Sequence, residues 1–311
     1  MQFSLRLLGT GSASPSLQRF TTAQVLSIEE YHFLIDCGEG TQMRMDAYQV
    51  KRYKIKQVFI SHLHGDHYFG LFGLITSYNL NGRKDRLQIF SPPGLEEVLV
   101  PALQYGGAAL SFPIEFIEVD PEQSLKVFEN AKVEVYTLPL QHRIPTCGYL
   151  FRERVRPRSM RSEQIQAYGL SIEQIKAAKL GADIQLENGL LIPNAELTTD
   201  PPPARSYAYC SDTSFLPALI PLIQGVDLLY HESTFCQDNL DRAHLTGHST
   251  ALEAAQIAHS AGVRQLVLGH YSARYEDVSV FEKEAQTIFP NSIAGEDGAV
   301  FEVPLRKSEE E

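Results

Sequence analysis

Three histidines and an aspartate fall within six consecutive residues of this sequence, at His62, His64, Asp66 and His67. The largely apolar residues 57–61 immediately before the motif predict a short buried strand. Imidazole nitrogens and carboxylate oxygens are ligands that zinc accepts. A single histidine here would more often be an ordinary strand-end residue, but four potential ligands at this spacing are rarely accidental. The motif therefore predicts the beginning of a binuclear metal centre.

The composition is that of a globular protein, with 43% apolar and 21% charged residues among 311, which is enough for a large core. No apolar run approaches the length of a membrane span, and residues 1–8 are too short for a signal peptide. The four cysteines are widely spaced, which disfavours a disulfide framework or a cysteine-based zinc site. We expect a cytoplasmic protein without a membrane partner.

Basic residues are concentrated in one segment, although the chain has a formal net charge of −11. Between residues 150 and 180 there are seven basic and three acidic residues. Five arginines of this segment fall close together: Arg152, Arg154, Arg156, Arg158 and Arg161. A solvated helical face could explain such a run, but arginines clustered around a proline are more typical of an arm that contacts phosphates.

Short β-rich runs alternate with helical patterns on both sides of the basic segment. Before it, the pattern predicts strands at 3–8, 24–28, 31–35, 87–90, 114–119, 133–138 and 146–150, and helices at 41–48 and 66–78. After a proline-rich stretch at 199–203, it predicts strands at 206–210, 227–230 and 265–268, and helices at 214–223, 251–261 and 280–288. We expect an α/β fold, an αββα sandwich of two mixed β-sheets flanked by helices. It would form a single domain, 1–311, with an inserted substrate-binding arm at 152–204 and a polar tail at 308–311.

Three further polar residues follow predicted strands, namely His142, Asp212 and His270. Each is placed just beyond the C-terminal end of an apolar strand. Any one of them alone would more often be a turn residue than a ligand. Together they complete the coordination that the histidine-rich motif leaves open, and we expect all three to bind metal.

Several short motifs extend this pattern along nearly the whole chain. They are Leu-Gly-Thr-Gly-Ser-Ala at 8–13, Asp-Cys-Gly-Glu-Gly-Thr-Gln at 36–42, His-Arg-Ile-Pro-Thr at 142–146, Ser-Asp-Thr at 211–213, His-Glu-Ser-Thr at 231–234, Gly-His-Ser-Thr at 247–250 and His-Tyr-Ser-Ala-Arg-Tyr at 270–275. With these motifs the sequence resembles the metallo-β-lactamase superfamily and, within it, the ribonuclease Z family of endonucleases that mature the 3′ end of precursor tRNA. The histidine-rich motif alone would support only a metal hydrolase. The His-Glu-Ser-Thr and His-Ser-Thr segments, with Pro-Thr-x-Gly-Tyr at 145–149, point to the tRNA-processing branch.

The resemblance implies two Zn²⁺ per subunit. The implied ligands are His62, His64 and His142 for one ion, Asp66, His67 and His270 for the other, and Asp212 as the bridge. It also implies three catalytic residues: Asp66 as the proton acceptor for the attacking water, His248 as the donor or relay of a proton to the leaving 3′ oxygen, and Glu232 as the residue that orients His248. We expect Asp36 and Glu39 to brace the ligand loops by hydrogen bonds rather than to bind metal.

The resemblance further implies that Arg19, Arg274 and the five clustered arginines contact the substrate. Arg19 lies in a loop, 15–20, that keeps the proline and the arginine of the family's Pro-x-Lys-x-Arg-Asn pattern but not its lysine or asparagine. The arm has a helical pattern at 170–180, where bacterial relatives often have a Gly-Pro-rich motif. The implied partners are precursor tRNA and a second copy of the chain, in a homodimer whose arms serve the opposite subunits.

The implied reaction cuts precursor tRNA so that a 3′-hydroxyl remains on the tRNA and a 5′-phosphate on the trailer. Two alternatives remain open. One is a phosphodiesterase or arylsulfatase-like metallohydrolase that acts on small esters, although a small substrate gives no reason for five clustered arginines. The other is a catalytically silent RNA-binding scaffold, which gives no reason for a complete ligand set.

Overall fold

The structure is a computed structural model that describes residues 2–106 and 110–306. The predicted polar tail at 308–311 lies outside the described residues. The chain divides into two compact units. The first unit comprises Met1–Arg152 and Ser206–Val303, and the second comprises Glu153–Arg205 with the described residues from Pro304 onward.

One seven-stranded mixed sheet of the first unit comes mainly from the N-terminal half. Its strands are β1 (Phe3–Gly9), β2 (Ala23–Ile28), β3 (Tyr31–Cys37), β4 (Ile55–Phe59), β5 (Leu87–Ser91), β6 (Ile114–Glu118) and β18 (Val300–Glu302), in the order β18-β1-β2-β3-β4-β5-β6. Neighbours from β3 to β6 are parallel, and the other pairs are antiparallel. All six residues of β2 are buried, as expected for a strand covered on both faces.

A second seven-stranded mixed sheet comes mainly from the C-terminal half. Its strands are β7 (Lys126–Glu129), β8 (Val133–Pro139), β9 (Cys147–Glu153), β14 (Ser206–Cys210), β15 (Leu228–Glu232), β16 (Gln265–Gly269) and β17 (Ser292–Ala294), in the order β17-β16-β15-β14-β9-β8-β7. The four strands from β14 to β17 are parallel neighbours. Their carboxyl ends therefore meet at one edge of the sheet.

The inner faces of the two sheets share an aromatic-rich core that includes Phe33, Phe59, Tyr149, Phe151 and Tyr207, all fully buried. Burying each such side chain contributes about 1.5–3 kcal/mol. Two further cores lie on the outer faces, under helices. The helices of this unit are α1 (Thr41–Ala47), α2 (Gly65–Tyr68), α3 (Gly70–Leu80), α4 (Leu95–Tyr105), α8 (Leu240–Thr246), α9 (Ala251–Ser260) and α10 (Ser279–Gln286). The predicted αββα sandwich is confirmed.

The predicted helix at 214–223 is wrong, because the structure has only a short 3₁₀ turn there, Pro217–Leu219. Pro217 and Pro221 both lack the backbone N–H that a longer helix needs. The predicted helix at 66–78 is divided between α2 and α3. A Cβ atom at residue 70 would lie 2.2 Å from the carbonyl oxygen of Gly38. Because no larger residue fits so close to that backbone, α3 begins with glycine. No described helix combines the length and apolarity needed to cross a membrane.

The second unit has its own small core, formed by Leu170, Ala178, Ile184, Ile192 and Leu197. Its strands are β10 (Ser159–Met160), β11 (Ile184–Gln185), β12 (Leu191–Ile192) and β13 (Thr198–Thr199), and its helices are α5 (Ser162–Tyr168), α6 (Ile172–Lys179) and α7 (Asn194–Leu197). The strands form two short antiparallel pairs, β10 with β13 and β11 with β12. The helical pattern at 170–180 corresponds to α6. The substrate-binding function of this segment stays a prediction.

Candidate metal centre

The candidate ligands and Glu232 are gathered by the ends of five strands. The histidine-rich motif follows β4, and His142 follows β8. Asp212 and His270 follow β14 and β16, while Glu232 is the last residue of β15. Because β14, β15 and β16 are parallel neighbours, their final residues are brought together at one edge of their sheet.

The first cluster contains His62, His64, His142 and Asp212, whose ligand atoms all lie within 4.8 Å of one another. Nε2 of His62 is 3.0 Å from Nδ1 of His64 and 3.6 Å from Oδ2 of Asp212. Nε2 of His142 is 3.8 Å from the same carboxylate oxygen. Neighbouring ligand atoms of a tetrahedral zinc ion are about 3.3 Å apart, given bonds of about 2.0–2.1 Å. The four atoms therefore have the spacing of a single metal site.

The second cluster contains Asp66, His67 and His270. Oδ2 of Asp66 lies 3.4 Å from Nε2 of His67 and 3.5 Å from Nε2 of His270. Oδ1 of Asp212 lies 3.4 Å and 3.2 Å from the same two nitrogens. One oxygen of Asp212 thus faces each cluster, which is the geometry of a carboxylate that bridges two metal ions.

Four buried imidazole nitrogens have no hydrogen-bond partner within the described ranges, namely Nε2 of His67, His142, His231 and His270, and all of these except that of His231 belong to the two clusters. The opposite nitrogen, Nδ1, lies 2.7 Å from the Asp36 carboxylate in His67 and 2.7 Å from the Gly247 carbonyl oxygen in His142. Because these oxygens only accept, the proton lies on Nδ1 and the lone pair on Nε2. A buried group without a partner costs about 1–3 kcal/mol, and coordination to a metal would remove this cost. The residues therefore fit a dinuclear metal site.

In the histidines of the first cluster and in both aspartates the ionisation favours metal binding, whereas in His67 the nearby carboxylates of Asp212, Asp66 and Asp36 outweigh burial and raise the pKa. Burial lowers the pKa of all three histidines in the first cluster, which keeps their rings neutral and able to coordinate. Burial alone would raise the pKa of Asp66 and Asp212. The imidazoles of His67 and His270 outweigh that effect and hold the pKa of both carboxyl groups below the usual range. Both aspartates are consequently available as anionic ligands.

Asp36 positions the second cluster through hydrogen bonds to Ser61 and His67. Its buried carboxylate accepts hydrogen bonds from the backbone N–H of Ser61 at 2.7 Å, the Ser61 hydroxyl at 2.8 Å and Nδ1 of His67 at 2.7 Å. The hydroxyl of Tyr209 donates a further bond at 2.5 Å. Asp36 and His270 are both in the left-handed backbone region, with φ of 53° and 61°. Such strain is typical of functional sites, where surrounding contacts hold a residue in place.

Glu232 connects His248 to the candidate metal ligand His270. Oε1 of Glu232 lies 2.8 Å from Nδ1 of His248. Oε2 accepts a hydrogen bond from the Thr234 hydroxyl at 2.8 Å, and that hydroxyl lies 2.9 Å from Nδ1 of His270. Burial alone would lower the pKa of His248, but the Glu232 carboxylate outweighs it and raises that pKa to about 9. The His248 ring lies between those of His142 and His270, with centroids 5.0 Å and 5.4 Å away.

The predicted substrate arginines of the first unit differ in what they contact. Arg19 is buried, and its guanidinium donates to the backbone carbonyl oxygens of Tyr275 and Glu276. It therefore supports a loop of the protein itself. Arg274 and Arg152 have exposed side chains. Their contact with substrate stays a prediction.

The arginines of the second unit are less available than the sequence suggests. Three of them pair inside that unit: Arg156 with the Glu153 carboxylate at 3.1 Å, Arg158 with the Asp200 carboxylate, and Arg161 with the Thr198 carbonyl oxygen at 3.3 Å. Arg154 is exposed. The positive charge between 150 and 180 also does not extend to the whole unit, since 153–205 contains seven basic and seven acidic residues.

Sequence reasoning missed the groups that fix the ligand rings. Thr234 orients His270, and the Gly247 carbonyl oxygen orients His142. Gly247 ends α8 with a φ of 73°, a conformation that favours glycine. The position of Thr234 in the His-Glu-Ser-Thr motif was the available signal for the first of these contacts. His244 pairs with Glu253 at 2.7 Å and belongs to neither cluster.

Comparison with known proteins finds full-length relatives. The family model described as Anti-Pycsar protein Apyc1 matches residues 3–156. Ribonuclease Z of Bacteroides fragilis is 47% identical over 292 residues, which is 94% of this chain and 96% of that protein. Ribonuclease Z of Cytophaga hutchinsonii is 42% identical over 312 residues, covering 100% of this chain and 99% of that protein.

Solved structures agree with these relatives. The short form of human tRNase Z superposes with a TM-score of 0.70 at 27% identity, covering 97% of this chain and 99% of that one. A metallo-beta-lactamase fold protein of Bacillus subtilis superposes with a TM-score of 0.67 at 20% identity over 97% and 100% of the two chains, which shows the fold alone. The resemblance inferred from the motifs is confirmed, and the chain belongs to the ribonuclease Z family of metallo-β-lactamase fold proteins.

Proposed function

We propose that this protein is an endoribonuclease that removes the 3′ trailer of precursor tRNA. The cut leaves a 3′-hydroxyl on the tRNA and a 5′-phosphate on the trailer. The observation that carries the proposal is the pair of ligand clusters that share Asp212, with Glu232 and His248 beside them, in a chain whose full-length relatives are ribonucleases Z.

The proposed cofactor is two Zn²⁺ per subunit. The ligands would be His62, His64 and His142 for one ion, Asp66, His67 and His270 for the other, and Asp212 for both. Neutral imidazoles and carboxylates at this spacing suit zinc. When bound, the two ions supply a water of lowered pKa and offset the charge that develops on the phosphate oxygens.

Asp66 is proposed to orient the attacking water and to accept its proton. Oδ2 of Asp66 is held by the backbone N–H of Ala13 at 2.7 Å. In the described chain, no hydrogen-bond donor contacts Oδ1 of Asp66. That second oxygen is therefore available to a water molecule.

His248 is proposed to protonate the 3′ oxygen of the tRNA as it leaves. Glu232 holds Nδ1, so Nε2 is the nitrogen left to deliver the proton. Glu232 raises the pKa of His248 to about 9, which keeps the imidazole protonated at neutral pH and suits it to general acid catalysis.

The proposed partners are precursor tRNA and a second copy of the chain, in the cytoplasm. Contacts of Arg152, Arg154 and Arg274 with the RNA are supported by their exposed side chains. The homodimer, with the second unit of one subunit serving the other, is proposed from the family resemblance. Sedimentation of the purified protein would reveal a monomer if the dimer is wrong.

The experiment that tests the function is cleavage of a precursor tRNA by the purified protein, with and without a zinc chelator. We expect one cut after the discriminator base, a 3′-hydroxyl on the tRNA, and loss of cleavage with chelator that added zinc restores. Protein that holds two zinc ions yet leaves the RNA intact would refute the proposal. If it then hydrolysed a small phosphodiester, the small-ester alternative would hold. Chelator-insensitive tRNA binding without cleavage would favour the scaffold.

A further inference from the structure

A cavity of about 890 Å³ opens beside the metal ligand His142, and the proposed reaction does not use it. Its walls are mostly apolar and include Leu140, Ile144, Pro145, Leu216 and Leu222. Leu140, Leu216 and Leu222 pack against the core beneath the second sheet, so this wall is part of the rigid fold. Pockets for small molecules usually measure about 300–1,000 Å³. The cavity can therefore hold a group of nucleotide size.

Arg143 lies between this cavity and the catalytic groups. It lines the cavity and directly follows the ligand His142 in the chain. Its side chain passes close to Gly247, where an added methyl group would lie 3.6 Å from Cγ of Arg143. Gly247 in turn precedes His248. Within the described ranges, the exposed guanidinium of Arg143 makes no hydrogen bond or ion pair, so it is available to a phosphate, which guanidinium groups bind in a bidentate manner.

Carboxylates line another part of the same cavity. Asp120 accepts hydrogen bonds from its own loop, from the backbone N–H of Glu122 and the Gln123 side chain. The Glu122 carboxylate has no hydrogen-bond or ion-pair partner in the part of the chain that the structure describes. A carboxylate repels phosphate but accepts hydrogen bonds from the exocyclic amino group of a base. This part of the cavity therefore favours a nucleobase over the sugar-phosphate backbone.

We propose that the cavity binds the nucleobase of a nucleotide that flanks the scissile phosphate, while Arg143 binds the adjoining phosphate. The inference rests on the proposed function and names a subsite for its substrate. The base would lie against the leucine and proline wall with its polar edge toward Glu122. The nucleotide can come from the tRNA side or from the trailer side of the cut, because both offer the same chemistry.

The test combines a variant that fills the cavity with substrates that lack one base. Ala218 lines the cavity and is exposed, so Ala218→Trp would occupy the space without disturbing the core. The substrates are an intact precursor tRNA and two versions with an abasic sugar, one on each side of the cut. We expect one abasic substrate to reduce kcat/KM of the zinc-loaded wild-type enzyme about tenfold, a common loss for one stacked base. Ala218→Trp should cleave intact RNA about tenfold more slowly and show no further loss with that substrate.

The position of the sensitive base identifies the strand that enters the cavity. Ala131→Trp is a matched control, since Ala131 is exposed but does not line the cavity. It should keep the wild-type rate and the wild-type sensitivity to base removal. If Ala218→Trp melts at a lower temperature than the wild type, Ala218→Leu provides the same comparison with a smaller side chain.

Two results would overturn the subsite. Base removal could slow wild type and Ala218→Trp by the same factor, or it could slow the wild type at neither position. Failure of the zinc-loaded wild type to cleave intact precursor tRNA would instead refute the proposed function. If the wild type cleaves intact precursor tRNA but its rate depends on neither base, only the subsite proposal is refuted.

Discussion

Oε1 of Glu232 lies 2.8 Å from Nδ1 of His248, and the other oxygen of the same carboxylate reaches the candidate ligand His270 through the hydroxyl of Thr234. Glu232 is fully buried at the end of a central strand, so its position is determined by the fold rather than by the substrate. One carboxylate thus orients both the proposed proton donor and a proposed metal ligand. Because Glu232 orients both residues, removing its negative charge should have a defined effect on catalysis.

Glu232→Gln should lower kcat for precursor tRNA about 100-fold or more and leave KM nearly unchanged, because His248 loses the anion that orients and charges it. His248→Asn should have a similar effect. The double variant should be no slower than the slower single variant, since the two residues act as one unit. Single-turnover cleavage measures all three. If the rate losses of the two single variants multiply in the double variant, Glu232 and His248 act independently. Glu97→Gln, which changes an exposed glutamate, is the matched control.

Asp36→Asn should weaken metal binding by the second cluster, Asp66, His67 and His270. The amide can no longer hold the proton of His67 on Nδ1 as the carboxylate does at 2.7 Å, so the lone pair on Nε2 is no longer fixed toward the metal. Loss of such a partner typically costs about 10–100-fold in metal affinity. Competition with a zinc chelator should show one site weakened and the other retained. The exposed Asp85→Asn variant should bind as the wild type does, and equal affinity in Asp36→Asn would contradict the assignment.

The sandwich and the seven candidate ligands could be predicted because both depend on local sequence features. Buried strands have recognisable apolar runs, and the ends of parallel strands meet at one sheet edge, so Asp212 and His270 could be placed near each other. The family resemblance placed them beside the histidine-rich motif, which follows a strand of the other sheet. The contacts of Thr234 and Gly247 could not be predicted in this way. They depend on hydroxyl direction and loop path, which the alternation of residues does not encode.

The basic segment is a second case in which contacts between distant residues could not be predicted from the sequence. Arginine spacing predicted a phosphate-binding arm, but the sequence could not show that Arg158 pairs with Asp200, which is 42 residues away. Acidic residues beyond 180 also balance the charge of the second unit. Local charge density is visible in a sequence, whereas its neutralisation by distant residues depends on the fold.

Removing the metal should lower the melting temperature markedly. Without metal, the buried Nε2 atoms of His67, His142 and His270 have no partner among the described residues. A ligand present at about 1,000 times its dissociation constant stabilises the folded state by about 4 kcal/mol. Calorimetry with added zinc and with chelator measures the difference. His142→Ala should show a smaller zinc-dependent shift than the wild type, and an unchanged melting temperature after chelation would exclude tight metal binding.

Glu153 and Arg205 pair at the two ends of the second unit. The Arg205 guanidinium, 2% exposed, donates to the Glu153 carboxylate at 2.9 Å and 2.7 Å, and the Arg205 backbone N–H donates at 3.1 Å. Glu153→Gln removes the carboxylate that pairs with the buried Arg205 guanidinium, and breaking such a pair costs about 3 kcal/mol. We expect faster proteolysis within 153–205, whereas the exposed Glu163→Gln should leave the rate unchanged.

The same pair has a defined pH dependence. Burial alone would raise the pKa of Glu153, but Arg205 outweighs it and lowers that pKa below its ordinary value. The stabilisation is therefore complete above the ordinary glutamate pKa, about 4.3, and is lost as the pH falls through the lowered value. Proteolysis of the wild type should approach that of Glu153→Gln under acidic conditions. A difference that persists at the lowest pH would contradict this pairing.

Exposed lysines of α6, together with Arg154 and rather than the paired arginines, should provide the RNA contacts of the second unit. Lys176 and Lys179 are exposed, whereas Arg158 is bound to Asp200. Replacing both lysines with glutamine should raise KM for precursor tRNA several-fold and keep kcat. The slope of the logarithm of the binding constant against the logarithm of salt concentration should become less steep by about 0.9 per lost phosphate contact.

Lys126→Gln, which alters an exposed lysine of the first unit, is the control. Arg158→Gln should instead increase proteolysis within 153–205, because it breaks an internal ion pair. A larger KM effect from Arg158→Gln, with no change in proteolysis, would show that the arginine contacts RNA after all.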